Sequence, residues 1–319
     1  MKRIAVLTSG GDAPGMNAAI RAVTRVGIYH GLEVVGIRRG YEGLLDGDAI
    51  PLTQSSVGGI IHHGGTILRT ARSERFKRSE GVTEGLTRLK GMDVDALVVI
   101  GGEGSFKGAW ELQKRGLPTV GIPGTIDNDC AGTDETIGYD TAVNTALEAV
   151  KKLRDTASSH DRLFVIEVMG RNSGFIALQV ALAGGAECAL LPEVPFDVEK
   201  VCQKLNYAKK RGKTHSLIIV AEGVMSAQEL AGKILDTGGY ESRITVLGHI
   251  QRGGSPTAFD AVLGSRLGAH AVEVLLEGKS GVMAGVTCGQ VTTCPLPETW
   301  ENKKRPDPSL LELLNALSI

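Results

Sequence analysis

Several short stretches of this 319-residue chain combine glycine with acidic or basic side chains in ways suited to anion chemistry. The stretch "GGEGS" (101–105) closes the apolar run "DALVVI". Glycines 101, 102 and 104 let backbone approach a ligand, and Ser105 can donate a hydrogen bond. Glu103 puts a carboxylate among amides suited to phosphate, which is repulsive unless a cation lies between. Mg²⁺ is held by one or two carboxylates plus substrate phosphates, so Glu103 reads as a metal ligand or as a solvent-facing turn residue. "TSGGDAPGMNAA" (8–19) places Gly10, Gly11, Asp12, Pro14 and Gly15 before a helical pattern, a phosphate seat or a plain tight turn. It matches neither GxGxxG nor GxxxxGK[ST].

In "PGTIDND" (123–129), Asp127 and Asp129 are two apart and share a side of any extended segment. One could accept a proton while the other orders a cation or substrate; an Asx-type turn is the alternative. "VMGRNSG" (168–174), "AEG" (221–223) and "GHIQRGGSPT" (248–257) set Arg171, His249 and Arg252 beside glycines, suited to an anionic sugar or phosphate. Glu222 could bond hydroxyls. A second basic set comprises Arg21 and Arg25, i,i+4 on one helix face, with Arg154, Arg211, Lys213 and His215 near later helix ends.

The elements that must carry these residues are strands and helices in alternation. "RIAVLT" (3–8), "LEVVGI" (32–37), "DALVVIG" (95–101), "PTVGI" (118–122), "RLFVIEV" (162–168), "HSLIIVAE" (215–222) and "RITVLGH" (243–249) predict strands. Segments 16–30, 139–159, 198–211 and 258–278 have the helical period. Apolar strands separated by helices predict an α/β protein with parallel sheets. Alternation continuing past residue 160 predicts two α/β domains, with acids and cations at strand ends in both and a cleft between them. In such sheets, ligands bind outside the carboxyl ends of strands.

Bulk composition narrows the partners. Lys and Arg total 35 against 36 Asp and Glu, a formal charge of −1, so no global field invites nucleic acid or anionic lipid. Glycine, at 43 residues, is about twice its usual ~7% share. Five cysteines form no CxxC pair, which fits a reduced cytosolic chain. No signal-like N-terminus and no run near ~18 apolar residues is present, so the expectation is a soluble cytoplasmic protein without nucleic-acid or membrane partners.

Together, "TSGGDAPGMNAAIR", "GGTILRTAR", "GGEGS", "PGTIDND", "VMGRNSG" and "LGHIQRGGSPT" resemble the bacterial-type ATP-dependent 6-phosphofructokinases, in the family's order, from residue 1 to about 280. The resemblance implies two Rossmann-like three-layer α/β/α domains with mostly parallel sheets and the active site in their cleft. It places an ATP-binding domain at 1–138 plus about 256–305 and a sugar-phosphate domain at 139–255 plus about 306–319. It implies transfer of the γ-phosphoryl of MgATP to the 1-hydroxyl of fructose 6-phosphate, a glycolytic step. Asp127 would be the base, with Arg72, Thr125, Asp129, Arg171 and Gly11 completing the catalytic set. Gly11, Tyr41, Arg72, Ser73, Gly102, Gly104, Ser105 and Gly108 would line the nucleotide site, with Glu103 at the magnesium position. Thr125, Ile126, Met169, Gly170, Arg171, Glu222, His249, Ile250, Gln251 and Arg252 would hold the sugar phosphate. Arg162 and Arg243 would reach it from a neighbouring subunit of a homotetramer. Arg21, Ala22, Val23, Thr24, Arg25, Arg154, Gly185, Ala186, Glu187, Arg211, Lys213, Thr214 and His215 would form an allosteric effector site for ADP and phosphoenolpyruvate.

Three departures from the family pattern stand out. Glu103 replaces the usual Asp, Ser73 stands where many members have Cys, and Gln54, Gly58 and Gly59 replace polar or charged residues near the effector site. Two rivals follow. A pyrophosphate-dependent phosphofructokinase typically has Asp at the position of Gly104 and Lys at that of Gly124; this chain has neither. A catalytically impaired effector-binding paralogue would owe its inactivity to Glu103, although Asp127, Arg72, Arg171 and Arg252 persist.

Overall fold

The computed structural model describes residues 1–160 and 162–318. The chain opens with β1 (Arg3–Thr8), α1 (Met16–Tyr29), β2 (Glu33–Ile37), α2 (Gly40–Asp46) and β3 (Ala49–Leu52). After an irregular segment come α3 (Ser79–Gly91), β4 (Ala96–Gly101), α4 (Glu103–Lys114), β5 (Thr119–Pro123) and α5 (Tyr139–His160). The middle of the chain forms β6 (Leu163–Val168), α6 (Phe175–Gly184), β7 (Cys188–Leu190), α7 (Val198–Lys210), β8 (Ser216–Ala221), α8 (Ala227–Gly238) and β9 (Ser242–Val246). It ends with α9 (Ala258–Leu276), β10 (Val282–Thr287), β11 (Gln290–Pro295), α10 (Glu298–Glu301) and α11 (Pro308–Leu317).

All seven predicted strands and the four predicted helices are present, with ends displaced by a few residues. Three of the four unpredicted strands are short or half-exposed: β3 contains Pro51, β7 has three residues, and β11 buries none of its residues fully; the fourth, β10, is six residues long and mostly buried. Among the unpredicted helices, α6 ("FIALQVALAG") is apolar all round, so it carries no amphipathic period. α4 begins inside the glycine loop, where sequence suggests a turn.

Two compact units result: Met1–Ile126, Cys130–Thr141 and Arg252–Lys304 form one; Asp127–Asp129, Ala142–Gln251 and Arg305–Ile319 the other. In the first, seven strands run in the order β11-β10-β5-β4-β1-β2-β3, antiparallel only at β2–β3 and β10–β11. β1, with Ile4, Ala5, Val6 and Leu7 all fully buried, lies between β2 and β4. One core layer of this unit gathers Leu7, Leu97, Val99, Phe106 and Leu112. In the second, four parallel strands run β7-β8-β6-β9, over a core containing Val165, Leu205, Ile218 and Ile234. Burial on both strand faces explains the near-continuous apolar runs.

Candidate active site

In the first sheet, β1 borders β2 on one side and β4 on the other, so strand order reverses at β1 and β4. That switch point is where open α/β sheets receive ligands. The two glycine loops follow these two strands and lie side by side: Thr8 pairs with Ile100, and the Ser9 N–H donates to the Ile100 carbonyl at 3.0 Å.

GGEGS is the start of a helix. Gly102 caps α4, Glu103 is its first residue, and the N–H groups of Ser105 and Phe106 donate to the Gly102 carbonyl. A carboxylate here meets the positive end of the helix dipole, worth about 0.3–1 kcal/mol without any cation. The charge is therefore less repulsive than the isolated loop implied. A Cβ at Gly104 would meet no atom within 4 Å, so the first turn of α4 offers an open surface. Ser105 is buried, its hydroxyl lying beside Gly101 and Gly10.

Tyr41, expected to line a nucleotide, is buried instead. Its ring stacks on Phe76 at 4.1 Å and its hydroxyl donates to the Ser105 carbonyl at 2.6 Å. Burial pushes its phenol well above the usual range. It supports the loop from within the core, and Gly108 is glycine because a Cβ would lie 2.7 Å from the Tyr41 ring. Ser73 likewise turns to structure, its hydroxyl accepting from the Phe76 N–H at 3.1 Å.

Gly11 and Arg252 come together. The guanidinium lies against Gly11, so that a Cβ there would sit 2.6 Å from Nη1, which also donates to the Asp12 carbonyl at 3.1 Å. Arg72 is exposed. Thr125 is 9% exposed and its carbonyl accepts from the Thr136 hydroxyl at 2.6 Å. Ile126, expected to touch substrate, has a fully buried side chain; only its backbone could do so.

In the second unit, the candidate residues follow the neighbouring strands β6, β8 and β9. Glu222 fixes the turn after β6: its Oε1 accepts from the N–H groups of Gly170 (3.2 Å) and Arg171 (2.8 Å). Arg171 stands exposed with φ 53°, after Gly170 with φ 143°. Ser173 donates its hydroxyl proton to the Asp127 carbonyl at 2.7 Å, so this turn also holds the loop of Asp127. Asp127 and Asp129 do not lie in an extended segment. Asn128 between them is left-handed at φ 52°, Asp127 is buried and Asp129 half-buried; the simple same-side pairing fails because the chain turns there.

Gln251, expected to bind substrate, is fully buried, and its Oε1 accepts from the Met169 N–H at 2.9 Å. It braces the arginine turn rather than reaching a ligand. Met169 is also buried, whereas His249, Ile250, Arg162 and Arg243 are exposed. Arg243 lies on β9, an edge strand that also exposes Ile244 and Val246.

The expected effector residues divide sharply. Arg21 and Arg25 share one face of α1, half-buried and exposed respectively. Ala22, Val23 and Thr24 between them are buried, so their side chains cannot serve an effector. In the second unit, buried Glu187 pairs with Lys213 and accepts from the Leu217 N–H. Arg154 donates to the carbonyls of Gly184 and Gly185, both at 2.5 Å. Ala186 is buried and His215 half-buried, while Gly185, Arg211 and Thr214 are exposed.

Sequence reasoning missed residues that hold these loops. Asn17 and Ser173 were visible only as polar residues inside quoted motifs. Asp260, fully buried, accepts from the N–H groups of Gly138 and Thr141, both at 2.8 Å, and from the Thr141 hydroxyl, joining the starts of α5 and α9. Burial raises its carboxyl pKa, with the three hydrogen bonds opposing.

Among the described residues no group of three His, Cys, Asp or Glu side chains forms an all-protein metal site. Half-buried Glu103 beside open Gly104 fits the other arrangement, in which Mg²⁺ takes one carboxylate and completes its shell with phosphates and water.

Residues 3–275 match the family described as Phosphofructokinase. The chain belongs to the phosphofructokinase family. It is 56% identical over 319 residues to the ATP-dependent 6-phosphofructokinase of Listeria welshimeri, covering 100% of both chains. Phosphofructokinase from Saccharomyces cerevisiae matches in structure with TM-score 0.88 and 35% identity over 94% of this chain, which spans 45% of the yeast chain. A pyrophosphate-dependent phosphofructokinase from Marinobacter aquaeolei superposes at TM-score 0.85 with 23% identity, over 98% of this chain and 91% of its own. That last likeness is one of fold, so fold does not choose the phosphoryl donor.

Proposed function

We infer that this chain is an ATP-dependent 6-phosphofructokinase, transferring the γ-phosphoryl of ATP to the 1-hydroxyl of fructose 6-phosphate. The observation that carries the donor choice is the open first turn of α4. Gly104 leaves room where an aspartate would project, and a Cβ at Gly124 would already lie 3.0 Å from Ile100 and Met16, leaving no easy place for a lysine. The full-length identity to enzymes named for ATP supports the same choice.

Phosphoryl transfer needs positioning and charge neutralisation more than covalent help. Asp127 accepts the proton of the sugar hydroxyl. Arg72 neutralises charge on the transferred group. Arg171, Arg252 and His249 hold the sugar phosphate, and Glu222 sets the turn that presents Arg171. Glu103 would hold Mg²⁺, which would supply neutralisation of the phosphate charge. Arg162 and Arg243 serve a neighbouring subunit's site in a homotetramer; the exposed apolar edge of β9 supports burial against a second copy. Arg21, Arg25, Arg154, Arg211 and Lys213 form the effector site for ADP and phosphoenolpyruvate. The domain limits given above and a cytoplasmic location belong to the same reading; no described helix is long and apolar enough to cross a membrane.

A coupled assay for ADP release with Mg²⁺, ATP and fructose 6-phosphate tests this, against a parallel assay with pyrophosphate. Turnover with ATP alone is expected. Comparable turnover with pyrophosphate would transfer the chain to the other donor class, and ADP binding without turnover would mark an impaired paralogue. Glu103→Asp shortens the metal-holding side chain by one methylene. Its Mg²⁺ and Mn²⁺ activation curves should shift by several-fold relative to the parent; superimposable curves would remove Glu103 from the metal site.

A further inference from the structure

Arg72 sits in the segment 53–74, which contains turns and bends but no helix or strand. So long a connection without its own backbone ladder needs other anchors to hold one conformation. A freely moving segment could not keep a guanidinium aimed at a transferred group. Side chains from the first strand and helix supply those anchors.

Asn17, in the first turn of α1, is 1% exposed. Its Nδ2 donates to the carbonyls of His63 (3.0 Å) and Gly64 (3.2 Å), and its Oδ1 accepts from the Ile67 N–H at 2.8 Å. These partners allow only one amide orientation, because two acceptors face the nitrogen and one donor the oxygen. Beyond it, the Thr8 hydroxyl donates to the Arg69 carbonyl and the Thr70 hydroxyl to the Gly10 carbonyl, each at 2.8 Å. On the far side of Arg72, Arg75 pairs with Glu42 and Asp46. Arg72 thus projects, exposed, from between two fixed points.

We propose that Asn17 is a positioning residue for Arg72, acting on phosphoryl transfer through the 63–70 segment without touching substrate. This rests on the reading of Arg72 as the group that neutralises the transferred phosphoryl. Thr70 contributes one bond and the Thr8 hydroxyl is shared between the Arg69 carbonyl and the Thr66 hydroxyl, whereas Asn17 spends its whole amide on the loop from the first helix. Aspartate has the same shape but would face two carbonyls with negative oxygen. Such a change shifts the loop rather than emptying the core. A misplacement near 1 Å can cost ~10²-fold in rate.

The test is a double-mutant cycle on the full chain with Asn17→Asp and Arg72→Ala, measuring kcat and both KM values. Asn17→Asp should lower kcat by roughly 10–100-fold, with the KM for fructose 6-phosphate within about twofold of the parent. Combined with Arg72→Ala, it should lower kcat no further than Arg72→Ala alone. The kcat loss should also shrink toward acid pH, where the introduced carboxyl is protonated and can donate one of the missing bonds. Asn17→Ser, which leaves at most part of the contact, should fall between; circular dichroism checks folding of each variant. Multiplying losses in the double mutant, or unchanged kcat in Asn17→Asp, would overturn the proposal while leaving the kinase reading intact. Failure of both Asn17 variants to fold would also overturn it, by making the residue one of global structure. An inactive parent, or an undiminished Arg72→Ala, would instead defeat the underlying reading.

Discussion

The segment carrying Arg72 and the turn carrying Arg171 solve one problem, presenting an arginine from irregular backbone, by opposite means. Arg171 follows β6 directly and takes its conformation from a local bend, with positive φ at both Gly170 and Arg171. A carboxylate, Glu222, then clamps two successive N–H groups, and buried Gln251 clamps Met169 before them. Arg72 lies far from any strand end in sequence, and the stretch before it depends on neutral side chains, Thr8, Asn17 and Thr70, dispersed over the first strand, the first helix and the segment itself, with the Arg75 ion pairs beyond it. A short turn can be fixed by backbone conformation and one charged acceptor. A long segment must be pinned at several places, and each pin is individually weak, about 0.5–1.5 kcal/mol net.

Mutations separate the two means of holding an arginine. The largest effect should come from Asp127→Ser, because the Arg171 turn also holds the Asp127 loop through Ser173. Turnover should drop by ~10²–10⁴-fold, the span of general base catalysis, with the turn intact; near-normal turnover would remove the base. Next is Gly170→Ala. At φ 143° an added Cβ would lie 2.5 Å from the Ser173 carbonyl oxygen, a strain of order 1–3 kcal/mol. The KM for fructose 6-phosphate should rise by roughly 10–100-fold, and an unchanged KM would show that the bend does not present Arg171. Glu222→Gln keeps the shape of the clamp and removes its charge; a rise of about fivefold to tenfold in the same KM is expected, from weaker charge-assisted bonds. Smallest is Tyr41→Phe, which deletes one buried hydrogen bond to the Ser105 carbonyl. It should cost about 1 kcal/mol, read as a melting temperature roughly 2–4 °C lower, with kinetics little altered.

The two regions also differ in how far sequence reveals them. Apolar runs followed by glycine and charge marked the strand-end turns directly, so GGEGS, VMGRNSG and the alternation of strands and helices were readable. Backbone at a strand end is local, and its chemistry lies within a few residues. The helical start of α4 was hidden because Gly102, Glu103 and Gly104 have the composition of a turn, and only the chain beyond them commits the backbone. Gln251 reads as a ligand residue from its motif, yet its side chain faces Met169; a sequence string does not encode side-chain direction once the strand gives way to a 3₁₀ turn. Ile126 and the stretch Ala22–Thr24 are buried in the same way, carried along with the polar and charged residues that flank them. Asn17 left no signal as an anchor, since its partners lie about fifty positions away and are backbone atoms whose residue types it does not constrain.

Following a label shows whether ATP donates its γ-phosphoryl to the sugar 1-hydroxyl. With γ-labelled ATP, Mg²⁺ and fructose 6-phosphate, nuclear magnetic resonance of the product should place the label on the phosphate at carbon 1, with unlabelled ADP released in equal amount. Label appearing only in inorganic phosphate, or no transfer from ATP while pyrophosphate supports it, would contradict that donation.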